Sequence, residues 1–135
     1  AMGYALGYGA GLLERGPDTF GDIVFAGAEV DISACRDPGV SEQFWRGHGW
    51  HTVQGPDGFF YDAALAGTAW HDNLSDLSVP VVFVHGEADA SAPLGAVRAL
   101  ADRVGGEIRP SPRVGHALLH AHPDLWLNAL ENERI

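Results

Sequence analysis

Val81-Val82-Phe83-Val84-His85-Gly86-Glu87-Ala88-Asp89, led in by Pro80, reads as a strand that ends in a carboxylate-bearing loop. A short apolar run bounded by proline and glycine predicts a buried strand. In open parallel sheets the loops beyond the C-terminal strand ends carry the functional groups. Residues 92–103 then predict a helix, and a further strand precedes Gly115-His116. That order brings an imidazole beside the Asp89 carboxylate. An aspartate that orients a histidine forms two parts of an acyl-transfer triad.

The third part, a nucleophile, is sought near the N-terminus. Gly3-Tyr4-Ala5-Leu6-Gly7 has the spacing of the Gly-x-Ser-x-Gly nucleophile elbow, with alanine in place of serine. Glycines at 3 and 7 suit a sharp strand-to-helix turn, where side chains would meet neighbouring backbone. Residues 6–15 predict a helix stopped by Gly16-Pro17, and Asp22-Ile23-Val24-Phe25-Ala26-Gly27-Ala28 predicts another buried strand.

In this order of elements the chain resembles the C-terminal half of an α/β-hydrolase of the serine esterase or thioesterase type. The order is elbow, strand, cap, strand with acid, helix, strand and histidine. The resemblance implies an α/β fold of parallel strands with flanking helices and a small cap insertion. It divides the chain into 1–30 (elbow, helix and following strand), 31–78 (cap or lid) and 79–135 (strand with acid, helix, strand with histidine, C-terminal helix). Gly-x-Ala-x-Gly alone is weak, because a chain with 18 glycines yields such spacings by chance. The conjunction of all three motifs in order is specific.

The roles implied are Ala5 at the nucleophile position, Asp89 as triad acid and His116 as base, with the Leu6 amide in the oxyanion hole. Glu87 and Asp89 share one face of an extended segment, so periodicity leaves both carboxylates open; the resemblance favours Asp89. Leu6-Gly7 after the nucleophile position is similar to serine elbows rather than to the Asp-Trp elbows of dehalogenases. Sheets of this family begin several strands before the elbow. The resemblance therefore implies a second chain carrying the N-terminal half, or a homo-oligomer that covers the open first strand.

Ala5 has no nucleophilic atom, so the chain as written is expected to be inactive in covalent acyl transfer. A serine replaced to trap substrate, an enzyme retired into a non-catalytic binding or interaction module, and a misread register each account for it. Retention of Asp89 and His116 favours the first. Under the third, Ser33 and Ser41 are the nearby hydroxyls, though neither lies at a strand-to-helix turn.

Residues 31–78 hold most of the aromatic side chains, among them Phe44, Trp45, Trp50, Phe59, Phe60, Tyr61 and Trp70. As a lid, Phe44, Trp45, Trp50, Phe59, Phe60 and Trp70 form an apolar substrate pocket that excludes water. As ordinary core payload, the same rings pack a small helical subdomain. The first reading points to a fairly apolar small-molecule acyl substrate.

Composition bounds the alternatives. A chain of 135 residues with 46% apolar content holds one domain's worth of core at most. Net charge is −10 and every basic residue is arginine, with no basic stripe, which argues against a nucleic-acid partner. Absence of lysine excludes a P-loop or Schiff-base lysine from this chain. No apolar run is long enough to span a bilayer, and no positive leader precedes an apolar core. The single Cys35 allows no intrachain disulfide, and together these features point to the cytoplasm.

Two further motifs fail. Gly7-Tyr8-Gly9-Ala10-Gly11 places Leu12 where a dinucleotide fingerprint needs its third glycine. His116, His120 and His122 form a set that no carboxylate or cysteine completes, and Pro123 begins a new helix, so the three are not expected to converge. Neither a cofactor nor a metal is expected.

Overall fold

The computed structural model describes residues 11, 14–52, 57–68, 74 and 77–132, with the side chains at 51, 52, 59, 60, 63 and 132 outside that description. The chain divides into two compact units, Ala1–Trp70 and His71–Ile135. Among the described residues the first carries helices and the second carries the sheet. The expected α/β class therefore holds in its coarse form: mixed helices with a small parallel sheet.

In the first unit, helix α1 (Pro17–Val24) starts with proline in its first turn, where the missing N–H costs nothing, and Asp18 complements the helix dipole. Gly16 precedes it at φ 74°, a left-handed conformation open to glycine. The strand expected over residues 22–28 is thus corrected to the end of a helix and a turn. The reason is physical: a short apolar run has no periodicity of its own, and Pro17-Asp18 nucleates a helix that runs into it. Phe20 and Gly21 of this helix are buried, while Val24 is 43% exposed. The expected helix over 6–15 lies mostly outside the described residues, of which Gly11 and Glu14 are helical.

Helix α2 (Glu29–Ala34) and helix α3 (Pro38–Thr52) follow. Asp37 starts α3, its Oδ1 accepting from the amides of Gly39 at 2.7 Å and Val40 at 3.3 Å. The α1–α3 contact carries the core of the unit. Phe20 meets the His48 ring at 5.3 Å, and the Phe25 edge meets Phe44 at 5.3 Å and 84°. The buried Ser41 hydroxyl donates to the Pro17 carbonyl. A Cβ on Gly21 would overlap the Cys35 side chain, so this glycine lets α1 approach Cys35 closely. Helix α4 (Asp57–Ala66) completes the unit and leaves Tyr61 and Leu65 exposed.

In the second unit, strand β1 (Val82–Gly86), helix α5 (Leu94–Val104) and strand β2 (Glu107–Ser111) form a parallel β-α-β unit. The register pairs Val82 with Glu107 and Gly86 with Ser111. Gly105 ends α5 in the left-handed region at φ 65°, and the Gly106 amide reaches back to the Ala101 carbonyl at 2.8 Å. Helices α6 (Leu118–Ala121) and α7 (Pro123–Asn132) close the unit. Its core is made by small residues as much as large ones: Ala101, Val114, Ala117, Leu118 and Ala129 are buried. Strand β1 was expected to be buried, yet residues 82–85 are half-buried and only Gly86 is fully enclosed. Among the described residues β1 has one strand neighbour, so its second edge lacks the cover that an internal parallel strand receives.

Among the described residues no helix is long and apolar enough to cross a membrane.

Candidate active site

The site is built at the C-terminal ends of β1 and β2. The register sets Gly86 beside Ser111, so the chain leaves both strands at one level and two loops begin side by side. Backbone bonds stitch them together: the Glu87 amide donates to the Ser111 carbonyl at 3.0 Å, and the Ala88 amide to the Val114 carbonyl at 2.9 Å. A Cβ on Gly86 would stand 2.6 Å from the Gly115 carbonyl oxygen and closer still to that of Val114. The β2 loop therefore crosses directly over Gly86, a passage that any side chain there would block. Arg113, at φ 60°, turns the chain into this crossing. Val114, Gly115 and Ala117 are then buried while His116 projects outward.

Asp89 and His116 meet across this stitched pair of loops. His116 Nδ1 lies 3.0 Å from Asp89 Oδ2, with the residues 27 apart in sequence. An ionised carboxylate only accepts, so Nδ1 carries the proton and donates it, leaving the lone pair of the neutral ring on Nε2. That is the tautomer a general base needs. Asp89 Oδ1 accepts two amides, Ser91 and Ala92, each at 2.8 Å. The carboxylate side chain is 6% exposed and the imidazole 47%. Burial by itself would raise the Asp89 carboxyl. The Ala92 amide, the His116 ring and the Ser91 amide outweigh it and hold the carboxyl below its ordinary value. The acid is thus buried, ionised and gripped on both oxygens, and the base is presented outward.

The pair opens onto an apolar cavity of about 930 Å³ within the second unit. Val82, Val84, Leu100, Leu118, Trp126 and Leu130 supply its apolar wall, and its titratable lining groups are His85, Asp89 and His116. Cavities that combine an apolar wall with a few convergent polar groups are the usual setting for small-molecule chemistry.

The other expected site residues fall differently. Glu87, the competing carboxylate, is exposed, and the imidazole pairs with Asp89. Ala5, Leu6 and Trp70 lie outside the described residues. Phe59 and Phe60 are on α4, with their side chains outside the description. Phe44 packs on Phe25, Trp45 is half-buried on α3, and Trp50 is 77% exposed. Ser41 is buried and its hydroxyl is committed to Pro17, while Ser33 is exposed on α2. Among the described residues no group of three or more His, Cys, Asp or Glu side chains is placed to hold a metal ion.

The grip of two amides on Oδ1 had a signal in the sequence, which offers Asp89 as a turn residue or helix N-cap before residue 92 as well as a triad acid; the crossing at Gly86 was missed. Asp89-Ala90-Ser91-Ala92-Pro93 is an aspartate followed by small residues and a proline, the composition of a turn in which the side chain takes its own downstream amides. The crossing had none, because a close approach between residues distant in sequence leaves no local pattern. No protein-family model, curated protein or solved structure matches this chain.

Proposed function

We propose that this chain is a serine-type hydrolase of the α/β-hydrolase kind, acting on an ester or thioester of a fairly apolar small molecule, with its nucleophile replaced by Ala5. The observation that carries the proposal is the Asp89–His116 pair: a gripped, ionised acid, a Nδ1–H tautomer and an outward imidazole beside an apolar cavity. In the complete reaction a serine hydroxyl at position 5 adds to the acyl carbon as His116 Nε2 takes its proton. The oxyanion is held by backbone donors, of which the Leu6 amide is one. His116 then returns the proton to the leaving alkoxide or thiolate, and water repeats the cycle on the acyl-enzyme. Asp89 stays ionised throughout and stabilises the imidazolium.

Ala5→Ser tests this directly, in the full chain alone and together with a polypeptide supplying strands upstream of the elbow. Turnover of short acyl p-nitrophenyl esters or thioesters, lost again on adding His116→Ala, is the expected result. Absence of turnover together with absence of phosphonate labelling at position 5 would overturn it. A second reading is favoured by the alanine itself: a non-catalytic module that binds an apolar acyl ligand. It predicts saturable ligand binding, with no turnover after Ala5→Ser.

A further inference from the structure

His85 is the one polar side chain of β1, and the fold turns it toward the acid loop. Its Nε2 lies 2.8 Å from the Ala92 carbonyl oxygen and 4.0 Å from Asp89 Oδ2, and the side chain is 12% exposed. A carbonyl oxygen cannot donate, so Nε2 carries a proton and gives it to Ala92. Ala92 is thereby held from two sides: its amide grips Asp89 Oδ1 and its carbonyl takes the His85 proton. The Asp89 turn is left with few other ways to shift, since the Asp89 amide is bonded to the Gly86 carbonyl at 3.2 Å and Pro93 follows Ala92 directly.

We infer that His85 is a positioning residue for the Asp89–His116 pair, acting as an Nε2–H donor that clamps the Ala92 peptide and so fixes the carboxylate that orients His116. The inference rests on the hydrolase reading only for what the pair does; the clamp itself is a matter of geometry. It assigns the two histidines opposite tautomers. His116 is protonated on Nδ1 to meet a carboxylate, and His85 on Nε2 to meet a carbonyl. One ring is set to exchange protons and the other to hold one. Glutamine can replace the second function, because its side-chain amide places an N–H near the Nε2 position of histidine; leucine cannot.

The test uses the full chain in three measurements. Long-range ¹⁵N–¹H spectra of the unmodified protein near neutral pH should show His85 as the Nε2–H tautomer. An Nδ1–H ring there, with Nε2 bare, overturns the clamp without any variant having to fold. Next, the ¹³C titration of the Asp89 carboxyl is followed in His85→Leu and His85→Gln. Loss of the clamp should move the midpoint upward by about half a pH unit as the amide bonds loosen, and glutamine should restore it. An unchanged midpoint in a folded His85→Leu protein overturns the assignment. Finally, His116→Ala separates this proposal from the function it serves. If His116→Ala moves the Asp89 midpoint and His85→Leu does not, the clamp fails and the pair stands. If His85→Leu moves it and His116→Ala does not, the clamp stands and the catalytic pair fails.

Discussion

The Val114 carbonyl lies directly against Gly86, so closely that a Cβ at residue 86 would also reach within 2.6 Å of the Val114 carbonyl carbon. This crossing joins the acid loop to the histidine loop, because the next residue but one after Gly86 donates its amide to that same carbonyl. Gly86→Ala must push the β2 loop away by backbone movement, since the obstacle is main chain rather than a flexible side-chain tip. The expected cost is about 1–3 kcal/mol, the range for overpacking a tight site. Urea unfolding checks the stability. Loss of the downfield His116 Nδ1–H proton signal checks the displacement. A variant that keeps both the stability and the proton signal would show that the crossing is looser than described.

Asp89 links the site to pH. Its carboxyl is held below the ordinary value in the folded protein, so the folded state binds fewer protons than the unfolded state between the two values. The stabilisation is therefore complete above the unfolded value of about 3.9 and is lost as pH falls through the folded value. Asp89→Asn keeps an Oδ1 acceptor for the Ser91 and Ala92 amides but gives up the charge opposite His116. It should cost about 1.5–3 kcal/mol at neutral pH, the range for a hydrogen bond to a charged group. The difference from the parent should close as the pH drops toward and below the folded carboxyl value. Denaturant titrations of both proteins across that window read it. A gap that stays constant with pH would mean that Asp89 is not ionised against His116.

How far the sequence carried the structure depended on the range of each signal. The segment from Val82 to Asp89 and the helix and strand after it were legible. Apolar runs there are bounded by Pro80, Gly86, Pro93 and Gly105, and each bound acts within a few residues of what it ends. The Asp89–His116 contact was legible only through element order, since two loops at the ends of adjacent parallel strands must lie together. The segment at 22–28 was misread because Ile23-Val24-Phe25 is apolar without alternation, and the deciding residues, Pro17 and Asp18, lie upstream of it. His85 reads as one polar residue ending a strand. Only the fold shows that the Ala92 carbonyl returns to within 2.8 Å of its ring.

Ser41 is, with Ser33, one of the two hydroxyls named as alternatives to a nucleophile at position 5. Its hydroxyl is buried and donates to the Pro17 carbonyl, tying α1 to α3. A hydroxyl so engaged is shielded from an acylating reagent and has a structural value instead. Ser41→Ala should cost about 0.5–1.5 kcal/mol, the net worth of a typical intramolecular hydrogen bond. A fluorophosphonate probe should leave Ser41 unmodified in the parent chain and should label Ala5→Ser at the substituted position. Labelling of Ser41 in the folded parent, located by peptide mass spectrometry, would move the nucleophile away from the elbow.

Cys35 gives an independent reading of how tightly the helical unit closes. Cys35 is 9% exposed, and Gly21 of α1 lies against its side chain. Burial raises its pKa, and the nearby carboxylates of Asp31 and Asp22 raise it further, because a thiolate would form next to like charge. Both the accessible fraction and the thiolate fraction are therefore small near neutral pH. Reaction with a disulfide reagent should be roughly a hundred-fold slower than that of an unhindered thiol and should wait on opening of the unit. The rate should then rise with urea in step with loss of helical circular dichroism. Gly21→Ala forces α1 off the Cys35 side chain and should accelerate the reaction in the absence of denaturant. A native Cys35 that reacts at the rate of a free thiol would mean that α1 does not close over it.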